Sequence, residues 1–145
     1  MYKINISSRT LHFLHPAGTS RGVYTTRKSY YVTLSDTNQP DVVGIGECAT
    51  LPDLSCDAMT DKEYEQKLRS FCDDFCHTGV IDIDAMRPYP SMLFGLETAK
   101  AQLDVKGSIN FFNTAFGRGE EGITINGLVW MGTFEEMYQR LETKL

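Results

Sequence analysis

No Asp or Glu occurs in this 145-residue chain before Asp36. Ahead of that point stand Lys3, Arg9, Arg21, Arg27 and Lys28. The first 35 residues therefore carry +5, and the remainder, with nine basic and 19 acidic residues, carries −10. Strands disfavour Asp and Glu, which accounts for part of the gap. A basic segment of this kind also raises the local concentration of anions. A nucleic-acid partner, which would stack on Tyr24, Tyr30 and Tyr31, is disfavoured: the pI is near 5.1, and the acidic remainder repels a phosphate backbone.

Long apolar runs are also missing. None approaches the roughly 20 residues that span a bilayer, and Met1 to Ile6 alternates polar with apolar instead of forming a signal-peptide core. The expectation is a cytoplasmic chain with no membrane partner. With 41% hydrophobic and 23% charged residues, it is ordinary globular material, enough for one core and a fragment of another. The four cysteines, Cys48, Cys56, Cys72 and Cys76, lack the close Cys-x-x-Cys pairs of a zinc site. They read as small buried thiols. His12 and His15 lie on a strand with no partner pattern, and no metal ligand set emerges.

What is present organises into strands first. Tyr2 to Leu14 keeps a partial period of two through Ile4, Ile6, Leu11 and Phe13, with a bulge expected near Ser7-Ser8-Arg9. Ser29 to Leu34 and Val42 to Cys48 are two further strands, separated by the turn chemistry of Asp36-Thr37-Asn38-Gln39-Pro40. Three strands with short links predict an antiparallel meander. Between the first two lies Pro16-Ala17-Gly18-Thr19-Ser20-Arg21-Gly22. This reads as a loop longer than a hairpin needs, carrying hydroxyls and one planar guanidinium suited to carboxylate or phosphate. A second small-residue loop, Ala49 to Ser55, follows the third strand.

Helical spacing takes over at Asp61. Tyr64, Leu68, Phe71, Cys72 and Phe75 form one apolar face of a helix to His77, with Gly79 as its stop. Met92, Leu96, Ala99 and Leu103, with Phe94, Ala101 and Val105 adding bulk, predict a helix from Ser91 to about Lys106. Glu97 and Asp104 on it read as solvated or ion-paired carboxylates rather than catalytic ones. Asn113 to Gly122 is a polar, glycine-rich surface loop. Ile123 to Val129 then predicts a strand, and Thr133-Phe134-Glu135-Glu136 is a capping box opening a helix that is still amphipathic at Leu145. A strand, a short loop and a helix form the first unit of a β/α architecture, which needs further parallel strands. The chain is therefore expected to be cut, with Ile123, Ile125, Leu128, Phe134 and Leu141 left as an exposed patch that promotes self-association or folds back.

Five blocks in this order resemble the o-succinylbenzoate synthase family of the enolase superfamily. They are Pro16 to Val23, Gly44-Ile45-Gly46-Glu47-Cys48, Leu51-Pro52-Asp53-Leu54-Ser55, Phe94-Gly95-Leu96-Glu97-Thr98-Ala99 and Ile125 to Gly132. The resemblance implies an α+β capping domain over residues 1–110, a meander followed by helices, and the start of a C-terminal β/α barrel over 123–145. It implies a lyase that removes water from a cyclohexadiene carboxylate in menaquinone biosynthesis, with Mg²⁺ stabilising the enediolate. N-acylamino acid racemase, dipeptide epimerase and muconate cycloisomerase share the architecture and stay open, as does a non-catalytic binding module. Gly18, Thr19, Ser20, Arg21, Leu51 and Leu54 would meet the dicarboxylate substrate and exclude water. The family's catalytic lysines and metal-ligand carboxylates have no counterpart here, and Lys144 is not promoted to that role. The 145 residues alone are expected to be inactive.

Overall fold

The structure is a computed structural model describing residues 1–145. Three strands, β1 (Tyr2–Thr19), β2 (Gly22–Asp36) and β3 (Gln39–Ala49), form one antiparallel sheet in the order β1-β2-β3. Val32 lies between Ile6 on β1 and Gly46 on β3. Side chains alternate faces along a strand, so this register puts Ile4, Ile6, Tyr30, Val32, Leu34 and Cys48 on one face. Helices α1 (Asp61–Thr78) and α3 (Pro90–Asp104) cover that face. Tyr64, Leu68, Cys72 and Phe75 of α1 and Met92, Leu96 and Ala99 of α3 complete the core with Met86. Met86 comes from the short α2 (Ile83–Met86).

Local chemistry fixes the helix ends. Thr60 and Glu63 exchange both bonds of a capping box at the start of α1, and Gly79 ends the helix at φ 70°, a left-handed conformation that glycine enters without penalty. Proline opens α3 at its first position, where no N–H is needed. The α3 backbone lies directly on β3. A Cβ placed on Gly46 would sit 2.6 Å from the carbonyl carbon of Gly95, so the approach depends on glycine.

Several expectations change on contact with the structure. Pro16 to Gly22 is not a long loop. Ala17, Gly18 and Thr19 pair with Tyr24, Val23 and Gly22, leaving only Ser20 and Arg21 as a two-residue turn. The surplus length lies earlier, where Phe13 to Pro16 separate two paired stretches of β1 and face the single residue Thr25. Pro16 has no N–H to give a ladder, which suits it to a bulge. The bulge expected at Ser7-Ser8-Arg9 is absent, for these residues pair without a break with Tyr31, Tyr30 and Ser29. Tyr30 is 4% exposed and stacks on Tyr64 at 4.8 Å, so it offers no face to a nucleobase. Phe94 is turned out of the core at 63% exposure. Cys56 is exposed because it lies in a loop, whereas Cys48 and Cys72 are buried in the core and Cys76 is half-buried.

Residues 122–132 form no strand. A parallel strand needs at least one neighbour to ladder with, and the sheet here has only the three strands already described. The segment lies instead against β1: Trp130 Nε1 donates to the Pro16 carbonyl at 3.1 Å. Arg140 ties the carbonyls of Trp130 and Met131 at 2.8 and 3.1 Å. The helix after it, α4 (Phe134–Glu142), opens on the Thr133–Glu136 capping box and ends at Glu142, short of Leu145. Ile123, Ile125, Leu128, Phe134 and Leu141 all remain exposed. No helix is long and apolar enough to cross a membrane.

Candidate functional site

β3 ends at Ala49 opposite Ser29. Beyond it, residues Gly22 to Lys28 of β2 pair with β1 alone, and the two strands project as a ribbon. Residues 50–60 fold along the free edge of that ribbon. Tyr24 Oη donates to the Pro52 carbonyl at 2.8 Å, and the Arg21 guanidinium donates to the Asp53 carbonyl. Lower down, Lys28 Nζ pairs with Asp61 at 2.7 Å, and Tyr30 Oη donates to the Asp61 carbonyl at 3.2 Å. The hydrogen bond from Lys28 to Asp61 holds the lysine above its ordinary value.

The covering loop is shaped internally as well. Ser55 N–H donates to the Leu51 carbonyl at 3.0 Å, and Leu51 N–H donates to Ser55 Oγ at 2.9 Å. Asp53 takes a left-handed φ of 61°, which aspartate tolerates better than most residues. The far end of the loop is fixed to α3. Asp57, only 3% exposed, accepts from both the backbone N–H and Oγ of Ser91, at 2.8 and 2.6 Å. Tyr64 Oη meets the same Ser91 hydroxyl at 2.5 Å, and burial raises its phenol well above the ordinary range. Asp57 thus caps a helix whose own N-cap, Tyr89, makes no side-chain bond.

The arrangement brings together the two segments singled out in the sequence. Arg21 reaches across from the hairpin tip to the second loop, so its guanidinium acts as a clasp. The Thr19 hydroxyl is used inside the turn, accepting from Arg21 N–H at 3.2 Å and donating to the Gly22 carbonyl at 3.1 Å. Ser20 is exposed at the tip, Leu51 is half-buried and Leu54 is exposed. Gly18 faces Met131, whose Cβ would lie 3.5 Å from a side chain added there. Between β2 and the loop is an open hollow of about 780 Å³ lined by Arg21, Arg27, Lys28, Thr50, Leu54 and Tyr64, among others. Arg27, counted in the sequence only as part of a basic segment, lines this hollow and two neighbouring ones. The missed signal was the end of β3, which exposes this stretch of β2.

No family model matches the chain. The fold is that of a mandelate racemase/muconate lactonizing protein from Herpetosiphon aurantiacus, matched with a TM-score of 0.56 at 15% identity over 70% of this chain and 29% of that one. A meander backed by helices, with a loop folded back after the third strand, is the arrangement that the match covers. In sequence, the chain is similar to an o-succinylbenzoate synthase. The enzyme of that name from Desulfotalea psychrophila is 31% identical over 93% of this chain. The chain spans 44% of the length of that curated relative. A solved o-succinylbenzoate synthase from Thermosynechococcus elongatus, complexed with Mg in its active site, is 24% identical over 74% of this chain and 30% of its own, with a TM-score of 0.48.

Proposed function

We propose that this chain supplies the substrate-closing lid of an o-succinylbenzoate synthase, a lyase that eliminates water from a cyclohexadiene carboxylate on the way to menaquinone. The observation that carries the reading is the clasp between the hairpin tip and the loop after β3, made by Arg21 with Asp53 and Tyr24 with Pro52. It joins two segments 32 and 28 residues apart into one cover. Residues 1–110 form the capping domain, and 123–145 open the barrel that the cap closes. Gly18, Thr19, Ser20 and Arg21 form the hairpin side of the cover over the substrate, while Leu51 and Leu54 shed water from it. Water exclusion strengthens every electrostatic interaction inside such a site. The expected compartment is the cytoplasm.

Mg²⁺ belongs to this reaction by resemblance. In this chain no three His, Cys, Asp or Glu side chains come together in a group that could hold a cation. The residues present do not fit the metal, so the contribution of this chain is closure and orientation.

The test is a chimera in which this chain replaces the matching part of the Desulfotalea psychrophila relative. Dehydration of the cyclohexadiene carboxylate is the expected outcome, with Arg21→Gln lowering kcat/KM about 10-fold to 100-fold through the lost charge-assisted bond. A folded chimera that racemises N-acylamino acids and does not dehydrate would refute the assignment.

A further inference from the structure

Two buried side-chain polar atoms in this chain have no hydrogen-bond partner: Arg27 Nε and Ser29 Oγ. They lie two residues apart on β2 and therefore on the same face of the strand, about 6.6 Å apart along it. Buried polar groups are almost always satisfied, so two orphans side by side call for an explanation. Arg27 forms none of the ion pairs in the structure. Glu47 and Asp57 line one of the hollows beside it. Neither comes within ion-pairing distance, and Asp57 is already engaged by Ser91.

The position matters as much as the missing partner. Arg27 stands where three hollows meet: the one beneath the loop with Leu54, the one beside Trp130, and the one beside Glu47. Arg21, by contrast, is occupied by the Asp53 carbonyl. We infer that Arg27 is the carboxylate-binding residue of the lid-covered site, its guanidinium donating to one carboxylate of a small dicarboxylate ligand, with the buried Ser29 two residues further along the strand. The inference rests on the lid reading and assigns its charge recognition to a residue on the strand instead of the turn. A guanidinium offers a planar fork matched to a carboxylate, and a rigid strand places it more accurately than a hairpin tip would.

The experiment uses the 145-residue protein, labelled with ¹⁵N and titrated with o-succinylbenzoate. The readouts are the Arg27 Nε–H signal and the backbone amides of residues 19–21 and 51–54. The expected result is a saturable shift of the Arg27 signal together with the loop amides. Arg27→Gln is expected to weaken binding about 10-fold to 100-fold, Ser29→Ala less, and Arg69→Gln on the far helix not at all. If the loop amides shift while Arg27 Nε–H stays still, the inference is overturned and the lid reading survives. If Arg27 shifts and the loops are silent, Arg27 stands as an anion site and the lid reading falls. Silence at both overturns the inference. The wild-type Nε–H signal decides between these outcomes even if Arg27→Gln fails to fold.

Discussion

Gly46→Ala is the sharpest perturbation of this fold. A methyl group at that position would lie 2.6 Å from the carbonyl carbon of Gly95 and 3.0 Å from its Cα, with the Gly95 oxygen nearer still. Ordinary carbon–carbon contact is about 3.5–4.0 Å, so α3 must retreat from β3 by about 1 Å. The contacted atoms are backbone, and no side chain can swing aside to make room. Met92, Leu96 and Ala99 on the same helix are fully buried, and a gap of that size forfeits about a quarter to a half of each dispersion contact. Overpacking of this kind costs about 1–3 kcal/mol, and a backbone clash belongs at the upper end. Restricting the unfolded chain offsets about 0.4–1 kcal/mol. The net expectation is a loss of about 2 kcal/mol, read as a lower urea midpoint by circular dichroism with unchanged m. Gly122→Ala is the control, because nothing lies within 4 Å of its added methyl. A Gly46→Ala protein within about 0.5 kcal/mol of the parent, the scatter of ordinary surface changes, would refute the claim that α3 rests on β3 through glycine.

Asp57→Ala should destabilise by about 2–3 kcal/mol, since it strips a charged acceptor from two buried donors on Ser91 and uncaps α3; proteolysis of residues 50–57 should quicken in parallel. Burial pushes the thiols of Cys48 and Cys72 from 9.0 up to about 12. Their folded values are raised, so the stability they contribute is complete below pH 9 and is lost as pH rises toward 12, at roughly 3 kcal/mol per pH unit for the pair; an alkaline unfolding series checks the slope. In native protein, a thiol reagent should modify Cys56 first and Cys76 more slowly, and reach Cys48 and Cys72 only on unfolding. Phe134 and Ile125, 78% and 75% exposed, should drive self-association, and Phe134→Glu should return a sedimenting dimer toward monomer.

The parts of this fold that were legible in the sequence are those decided by local chemistry. The Thr133–Glu136 capping box, the Gly79 stop and the α1 stripe depend on residues three or four apart, and each formed as read. The meander was legible because Val32, Gly46 and their neighbours alternate so regularly. Failures fell where a partner elsewhere decides the outcome. Ile123 to Val129 has strand composition, yet a strand exists only with a neighbour to pair with. Pro16 and Gly18 are turn residues by type, yet the ladder continued past them once Phe13 to Pro16 had bulged out.

Arg21 and Arg27 show the same limit at the site. Spacing made Arg21 conspicuous, because glycines and hydroxyls surround it, whereas Arg27 sits unmarked in a run of strand residues. Which guanidinium is left without an acceptor is a property of tertiary structure. The Asp53 carbonyl comes to Arg21 because the loop after β3 turns back along the ribbon, whereas no carboxylate pairs with Arg27 and the nearby Asp57 is engaged by Ser91. The residue that looked like the ligand contact is therefore bonded within the protein, and the one hidden in the strand keeps its Nε–H without an acceptor.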